Sequence, residues 1–336
     1  MDPVKIAVIG MGRMGSDLAR VCNDLPQADL VAICEARDDR RVAMASELVV
    51  PSYADHDEML AQHPEIEVVD VATQASPQFK VPPCLAAIEA GKTLIAEGPL
   101  SDTVQAAQQI VDAAEASGVR LFMNNSIHFE PRCGAARKAI RAGEIGEVLH
   151  LSLRHNLRRE AGQYRNWEFS IVWEISWYDL ALLRWLTGRE IVRVLARGLE
   201  KDAGTHGPGA VVSLLTFDDG SLAVLENGWA SPQVVGRRTT TLLEVRGSKG
   251  IIDVDLYESG ARVYTSDSLR PLDILYAPTI HGGGWSGIFR DQMAYQMHCV
   301  RSGAEPSATG RDGLAEVRLC DAIHRSMDTG LEISLA

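Results

Sequence analysis

The residues best arranged for chemistry stand at the start of the chain, in VKIAVIGMGRMGSDLAR. Gly10, Gly12 and Gly15 have G-x-G-x-x-G spacing, behind the β-branched run Val4–Ile9 and ahead of a helical pattern over Met14–Asn23. Each glycine has a task in gripping a dinucleotide. Gly10 allows the tight turn, Gly12 lets the backbone approach a pyrophosphate, and Gly15 lets helix pack on strand. The helix N-terminus then offers unsatisfied N–H groups to the anion. Glu35 follows Gly15 by 20 positions, at the end of the second predicted strand. A carboxylate there would hydrogen-bond the adenosine ribose and repel a 2′-phosphate, which favours NAD. Arg37, Arg40 and Arg41 argue by charge for NADP; the balance is read as NAD.

A second concentration is RHNLRREAGQYRNWE, with Arg154, Arg158, Arg159 and Arg165 interleaved with Tyr164 and Trp167. Guanidinium forks bind carboxylate or phosphate, and a Trp face stacks on a sugar ring. Arg158, Arg165 and Trp167 are therefore candidate contacts to an anionic or ring-shaped substrate, set against the plainer reading of a solvated basic face. HGGGW, at 281–285, reads either as a loop that closes on a ligand or as an ordinary surface loop.

Composition narrows the classes. A chain of 336 residues suggests two domains. Lys+Arg 33 against Asp+Glu 45 leaves a net charge of −12, which disfavours nucleic acid or an anionic membrane surface as the main partner. No run approaches the roughly 18 apolar residues of a membrane span, and the start lacks a basic n-region, so the expectation is a cytoplasmic protein. The six cysteines, at 22, 34, 84, 133, 299 and 320, make no C-x-x-C pair and read as buried thiols, with no metal site.

The elements that must position these residues alternate in the first third. Strands are expected at Val4–Ile9, Leu30–Cys34, Val68–Ala72, Thr93–Ala96 and Val119–Met123, with helical patterns between them. Such alternation means a doubly wound parallel sheet. After residue 124 the pattern changes. A helix over Arg132–Ala142 precedes a strand in which Leu149, Leu151 and Leu153 alternate with polar residues; a helix over Glu174–Thr187 follows. Several strands with turns at Asp219-Gly220 and in VRGSKGII come next, then helices at Ile288–Arg301 and Gly313–Asp328. The fold class is α/β: residues 1–123 form the nucleotide-binding domain, and 124–336 a second, α+β domain with a largely antiparallel open sheet for substrate binding and oligomerisation.

The segments AVIGMGRMGSDLAR, IEVVDVAT, AAIEAGKTLIAEGPLSDT, AGEIGEV, DLALLRWLTG and EVRGSKG together resemble the Gfo/Idh/MocA oxidoreductases over nearly the full length. The resemblance implies an N-terminal Rossmann domain, and a C-terminal domain whose open sheet often joins copies into dimers or tetramers. It also implies hydride transfer between nicotinamide and a carbinol carbon of a sugar, cyclitol or cyclic hemiacetal. The cofactor set it implies is Gly10, Met11, Gly12, Arg13, Met14, Gly15, Glu35, Thr73 and Glu97.

Departures from the family pattern bear on the chemistry. Relatives typically have Glu-Lys-Pro where this chain has Glu97-Gly98-Pro99, and an Asp, His and Asp where it has Val172, Ser176 and Asp179. A small shift would bring Glu174 into the first acidic role. A frequent His in the loop after the fourth strand aligns with Lys80, near Gln78. Oxidising a carbinol still requires a group to take the proton. The expected replacements are His128, in NNSIHFEP, together with Asp179, Lys80 and Ser176. Ser176 and Asp179 share a helix face, and Tyr178 either contacts substrate or joins Leu182 and Trp185 in the core. Two other readings compete with net oxidation: an enzyme that retains NAD and performs elimination, hydrolysis or epimerisation through a transient ketone, and a non-catalytic dinucleotide sensor.

Overall fold

A computed structural model describes residues 2–158, 170–199, 208–231, 239–256, 262–264, 269–271, 279–280 and 284–335. The chain divides into two compact units, Met1–Phe129 with Ile274–Val317 and Glu130–Asp273 with Arg318–Ala336.

In the first unit, six parallel strands stand in the order β3-β2-β1-β4-β5-β6. They are β1 (Val4–Ile9), β2 (Ala28–Cys34), β3 (Ser52–Tyr53), β4 (Val68–Val71), β5 (Thr93–Glu97) and β6 (Leu121–Asn124). The helices α1 (Arg13–Asp24), α2 (Asp38–Leu48), α3 (His56–Gln62), α4 (Pro77–Glu89) and α5 (Val104–Ala116) alternate with them. Strands buried on both faces carry mostly apolar runs, so β1 and β4 read VKIAVI and VVDV, with Lys5 breaking the first and Asp70 the second. A later helix, α8 (Ile288–Ser302), joins α1 in the core through Met293 and Met297 beside Leu18, Val21 and Cys22. The chain order reverses between β1 and β4, so the carboxyl ends of these strands form the switch point where doubly wound sheets take ligands.

The second unit holds α6 (Pro131–Arg141), β7 (Val148–Arg158), α7 (Trp177–Thr187), β8 (Ile191–Leu199), β9 (Ala210–Phe217), β10 (Leu222–Ser231), β11 (Thr239–Gly247), β12 (Ile251–Asp255) and a last strand, β13 (Ile333–Ser334). Their order is β12-β11-β7-β10-β9-β8-β13; β7 and β10 run parallel and the other neighbours antiparallel. The helix α9 (Gly310–Thr329) contributes to both units. Alternation sorts the strands. Leu151, Leu153 and Leu157 of β7, Ala223 and Leu225 of β10, and Leu243 and Val245 of β11 are buried, whereas Val212, Leu214, Leu222 and Leu242 are exposed. The predicted helix over Glu174–Thr187 begins as a π-helical turn, Val172–Ser176, before the regular turns of α7, and stops at Gly188 in the left-handed region.

Among the described residues no helix is long and apolar enough to cross a membrane, and no cluster of His, Cys, Asp and Glu is arranged to hold a metal. The six cysteines are buried and form no disulfide.

Candidate active site

The glycine turn is built as its spacing requires. Gly10 has φ +96°, a region costly for any side chain, and a Cβ there would lie 3.0 Å from the Ala72 carbonyl oxygen. At Gly15 a Cβ would fall 1.8 Å from the Gly10 carbonyl oxygen, so helix and turn touch through a missing side chain. Gly12 differs. A Cβ there would meet nothing within 4 Å, and internal packing gives no reason for a glycine. The close approach of an external group does. Gly12 is also the N-cap of α1 and supplies no side-chain cap, which leaves first-turn N–H groups for an anion.

Glu35 directly follows β2 and lies against this turn. Its two carboxylate oxygens accept from the backbone N–H of Met11 at 2.7 Å and of Arg37 at 2.9 Å. Each oxygen keeps a second lone pair for a sugar hydroxyl. Two of the three arginines that argue for a 2′-phosphate are engaged: Arg37 pairs with Asp39, and Arg41 pairs with Asp38 while donating to the Glu35 carbonyl oxygen. Two buried polar atoms near the strand ends have no hydrogen-bond partner among the described residues, Thr73 Oγ1 and Glu97 Oε2. A buried polar group left unmatched costs about 1–3 kcal/mol. The open side of Gly12, the uncapped helix, the placed Glu35 and these two atoms fit a nicotinamide dinucleotide.

Beneath the strand ends lies a charged cluster. Lys80 was expected in a loop after the fourth strand; it lies inside α4 and is 1 % exposed. The helix starts at Pro77, where proline suits the first turn, and runs on through Pro82 and Pro83. Lys80 Nζ donates to the backbone carbonyl oxygens of Val71 at 3.3 Å and Glu97 at 2.9 Å. Burial pushes the Lys80 pKa down. It pushes Asp70 up to about 7, against an Asn124 hydrogen bond and the Lys80 charge. Burial and the Asp70 charge carry Glu97 up to about 8, with Lys80, Asn124 and Arg13 opposing. Asn124 donates to Asp70 Oδ1 at 3.2 Å and accepts from Gln292 and Gln296 of α8. His128 sits half-buried on a single 3₁₀ turn, Ser126–Phe129, directly after β6.

The second unit carries its own buried polar group. Ser176, from the π turn, donates to Asn227 Oδ1 at 2.6 Å. Asn227 Nδ2 donates to Asp179 Oδ2 at 2.7 Å, and the other oxygen of Asp179 takes His155 Nδ1 at 2.8 Å. Ser176 and Asp179 thus meet on one partner, as their spacing on one face requires. His155 and Asn227 were not singled out from the sequence. Their signal was present: each falls on the buried phase of its strand, His155 after Leu151 and Leu153, and Asn227 after Ala223 and Leu225. Tyr178 is half-buried, its ring edge-on to Trp177 at 5.4 Å. Arg154 of the basic run pairs with Glu226 across the exposed sheet face. Arg165, Trp167, Arg159, Tyr164 and positions 281–283 lie outside the described residues, as does the side chain of Arg158.

Comparison with known proteins agrees with this architecture. The family model described as "Oxidoreductase family, NAD-binding Rossmann fold" matches residues 4–125, and the Gfo/Idh/MocA C-terminal domain model matches 134–253. D-apiose dehydrogenase of Paraburkholderia graminis is 28% identical over 98% of this chain and 89% of its own length. Myo-inositol 2-dehydrogenase of Thermotoga maritima is 25% identical over 99% of this chain and 98% of its own. A solved structure of a probable dehydrogenase from Thermotoga maritima superposes with a TM-score of 0.83 at 25% identity, covering 99% of both chains.

Proposed function

The chain belongs to the Gfo/Idh/MocA oxidoreductase family, and from that premise we propose that it transfers a hydride between NAD and a carbinol carbon of a sugar, cyclitol or cyclic hemiacetal. The observation that carries the reading is the pairing of a glycine turn open at Gly12 with a Glu35 carboxylate held against Met11 N–H. The bound nicotinamide would supply the hydride acceptor. The chain's part is to hold it: Gly10, Met11, Gly12, Arg13, Met14 and Gly15 along the phosphates, Glu35 at the ribose, and Thr73 and Glu97 at the strand ends. Relatives named for apiose and inositol support a polyhydroxylated substrate.

In this reading Gly98 stands where relatives carry a lysine, and Ser176 where they carry a histidine. Lys80 is a poorer substitute in the first role, because its buried ammonium is held by two backbone carbonyls inside the unit. The proton then falls to a histidine, with His128 and His155 as the candidates and Asp179 and Ser176 as supports. The apolar residues on the exposed face of the second sheet, Val212, Leu214, Leu222 and Leu242, support association of copies into dimers or tetramers. Calorimetry with NAD and NADP, followed by NADH absorbance across inositols, apiose and aldoses, tests the proposal. Tight NAD binding with net reduction is expected. Product without NADH would favour the NAD-retaining alternative, and binding without any turnover the sensor.

A further inference from the structure

Residues 35–41 carry three carboxylates, Glu35, Asp38 and Asp39, and three guanidinium groups, Arg37, Arg40 and Arg41. A site for a 2′-phosphate would use the arginines, whereas a site for a bare ribose needs only Glu35. The fold sets two of these arginines directly on Glu35. Arg37 gives its backbone N–H to Glu35 Oε1 at 2.9 Å, and Arg41 Nη1 donates to the Glu35 carbonyl oxygen at 3.1 Å. Both side chains are then turned onto aspartates. The Arg37 fork closes on Asp39, Nε to Oδ1 at 3.2 Å and Nη2 to Oδ2 at 2.8 Å. Arg41 Nη2 donates to Asp38 Oδ1 at 2.5 Å.

Asp38 and Asp39 open α2, whose N-cap residue, Arg37, makes no side-chain cap. Acids in a first turn answer the helix dipole. The dipole asks only for negative charge at that place. It does not require a two-point fork from the residue before the helix, or a second pair on an arginine already bonded to Glu35. The hydrogen bonds from Arg37 also hold the Asp39 pKa below its ordinary value.

We infer that Asp38 and Asp39 are positioning residues for coenzyme choice: by holding Arg41 and Arg37 they keep two guanidinium groups from a 2′-phosphate beside Glu35, and so reinforce the selection of NAD. The inference rests on the dinucleotide reading above and extends it from Glu35 to the ion pairs around it. Glu35 opposes the phosphate by its own charge, and the aspartates engage the cations that would offset that charge. An exposed ion pair shifts an equilibrium by up to about fivefold. Two pairs acting together, with two negative charges added near the same place, bring the combined effect to about tenfold or more.

Calorimetry of the whole protein with NAD and with NADP tests this, and needs no substrate. The side chains of Asp38 and Asp39 are 83 % and 67 % exposed, so their replacement removes charge without touching the core. Asp38→Asn/Asp39→Asn should tighten NADP binding at least about tenfold and leave NAD within about threefold of wild type. The gain should shrink as salt rises, because it comes from attraction between phosphate and guanidinium. It should vanish when Arg37→Gln/Arg41→Gln is added. Asp38→Glu/Asp39→Glu keeps the charges and should bind NADP as weakly as wild type. Unchanged NADP affinity in the Asn variant overturns the inference and leaves the aspartates as partners of the helix dipole. A gain that survives loss of both arginines overturns it, and so does an equal gain for NAD. A wild type that binds neither coenzyme sinks the dinucleotide reading and this inference with it. A wild type that binds NAD, beside an Asn variant no better at NADP, sinks the inference alone.

Discussion

Lys80 Nζ lies 2.9 Å from the backbone carbonyl oxygen of Glu97 and bridges it to that of Val71, tying the ends of β4 and β5 to α4. The charge of the same ammonium opposes the upward shift of two buried carboxyl groups, Asp70 and Glu97. Lys80→Met keeps the volume and removes both the donors and the charge. Losing one partner of a buried charged cluster costs about 3–5 kcal/mol, so chemical denaturation should show a loss of that size. A loss under about 1 kcal/mol would mean that the cluster does not depend on this cation.

The carboxyl groups of that cluster set a pH dependence. Asp70 rises from an ordinary 3.8 to about 7, and Glu97 from 4.5 to about 8. The folded protein therefore holds protons that the unfolded chain has already released, and stability falls as pH climbs from about 4 to about 8. Asp70→Asn and Glu97→Gln should flatten this slope, gaining most at pH 8 and least near pH 4. Urea midpoints at the two pH values check it; an equal shift at both would contradict the assignment.

Glu35→Ala should weaken NAD binding at least about tenfold, the size expected for hydrogen bonds to a charged group. It also frees the Met11 N–H and removes the negative charge that opposes a 2′-phosphate. Calorimetry should therefore show the preference for NAD over NADP shrinking. Undiminished NAD affinity would count against Glu35 as the ribose ligand.

The two glycines at the turn should fail in different ways. Gly15→Ala drives a methyl into the Gly10 carbonyl oxygen and should lower Tm by several degrees. Gly12→Ala meets nothing and should leave Tm within about a degree, yet bind NAD far more weakly. A Gly12→Ala protein that is destabilised but binds normally would reverse the assignment of the two roles.

The legible parts of this molecule were those in which neighbouring residues share one task. Gly10, Gly12, Gly15 and Glu35 meet at one turn, where Glu35 accepts from Met11 N–H and Gly15 lies against the Gly10 carbonyl, so their spacing survives in one dimension. Ser176 and Asp179 are three apart on a helix, and their meeting could be foreseen. The link from Asp179 to His155 spans 24 residues and that from His155 to Asn227 spans 72, and neither pair has a local pattern. The match of Lys80 to a loop histidine of relatives places it in a loop, whereas α4 starts at Pro77 and carries it inside, running on through Pro82 and Pro83. Prolines argue against a helix interior, and tertiary packing overrode them here.

The buried polar group of the second unit has a consequence for assembly. A one-residue slip of β7 against β10 would turn Arg154 inward and Leu151 and Leu153 outward, and alternation alone forbids it. A slip of two residues keeps every leucine inside, so packing barely resists it. It would, however, place Leu153 or Leu157 beside Asn227 and leave the Asp179 carboxylate buried with a donor missing. The hydrogen bonds around His155 thus choose among alignments that the leucines cannot tell apart.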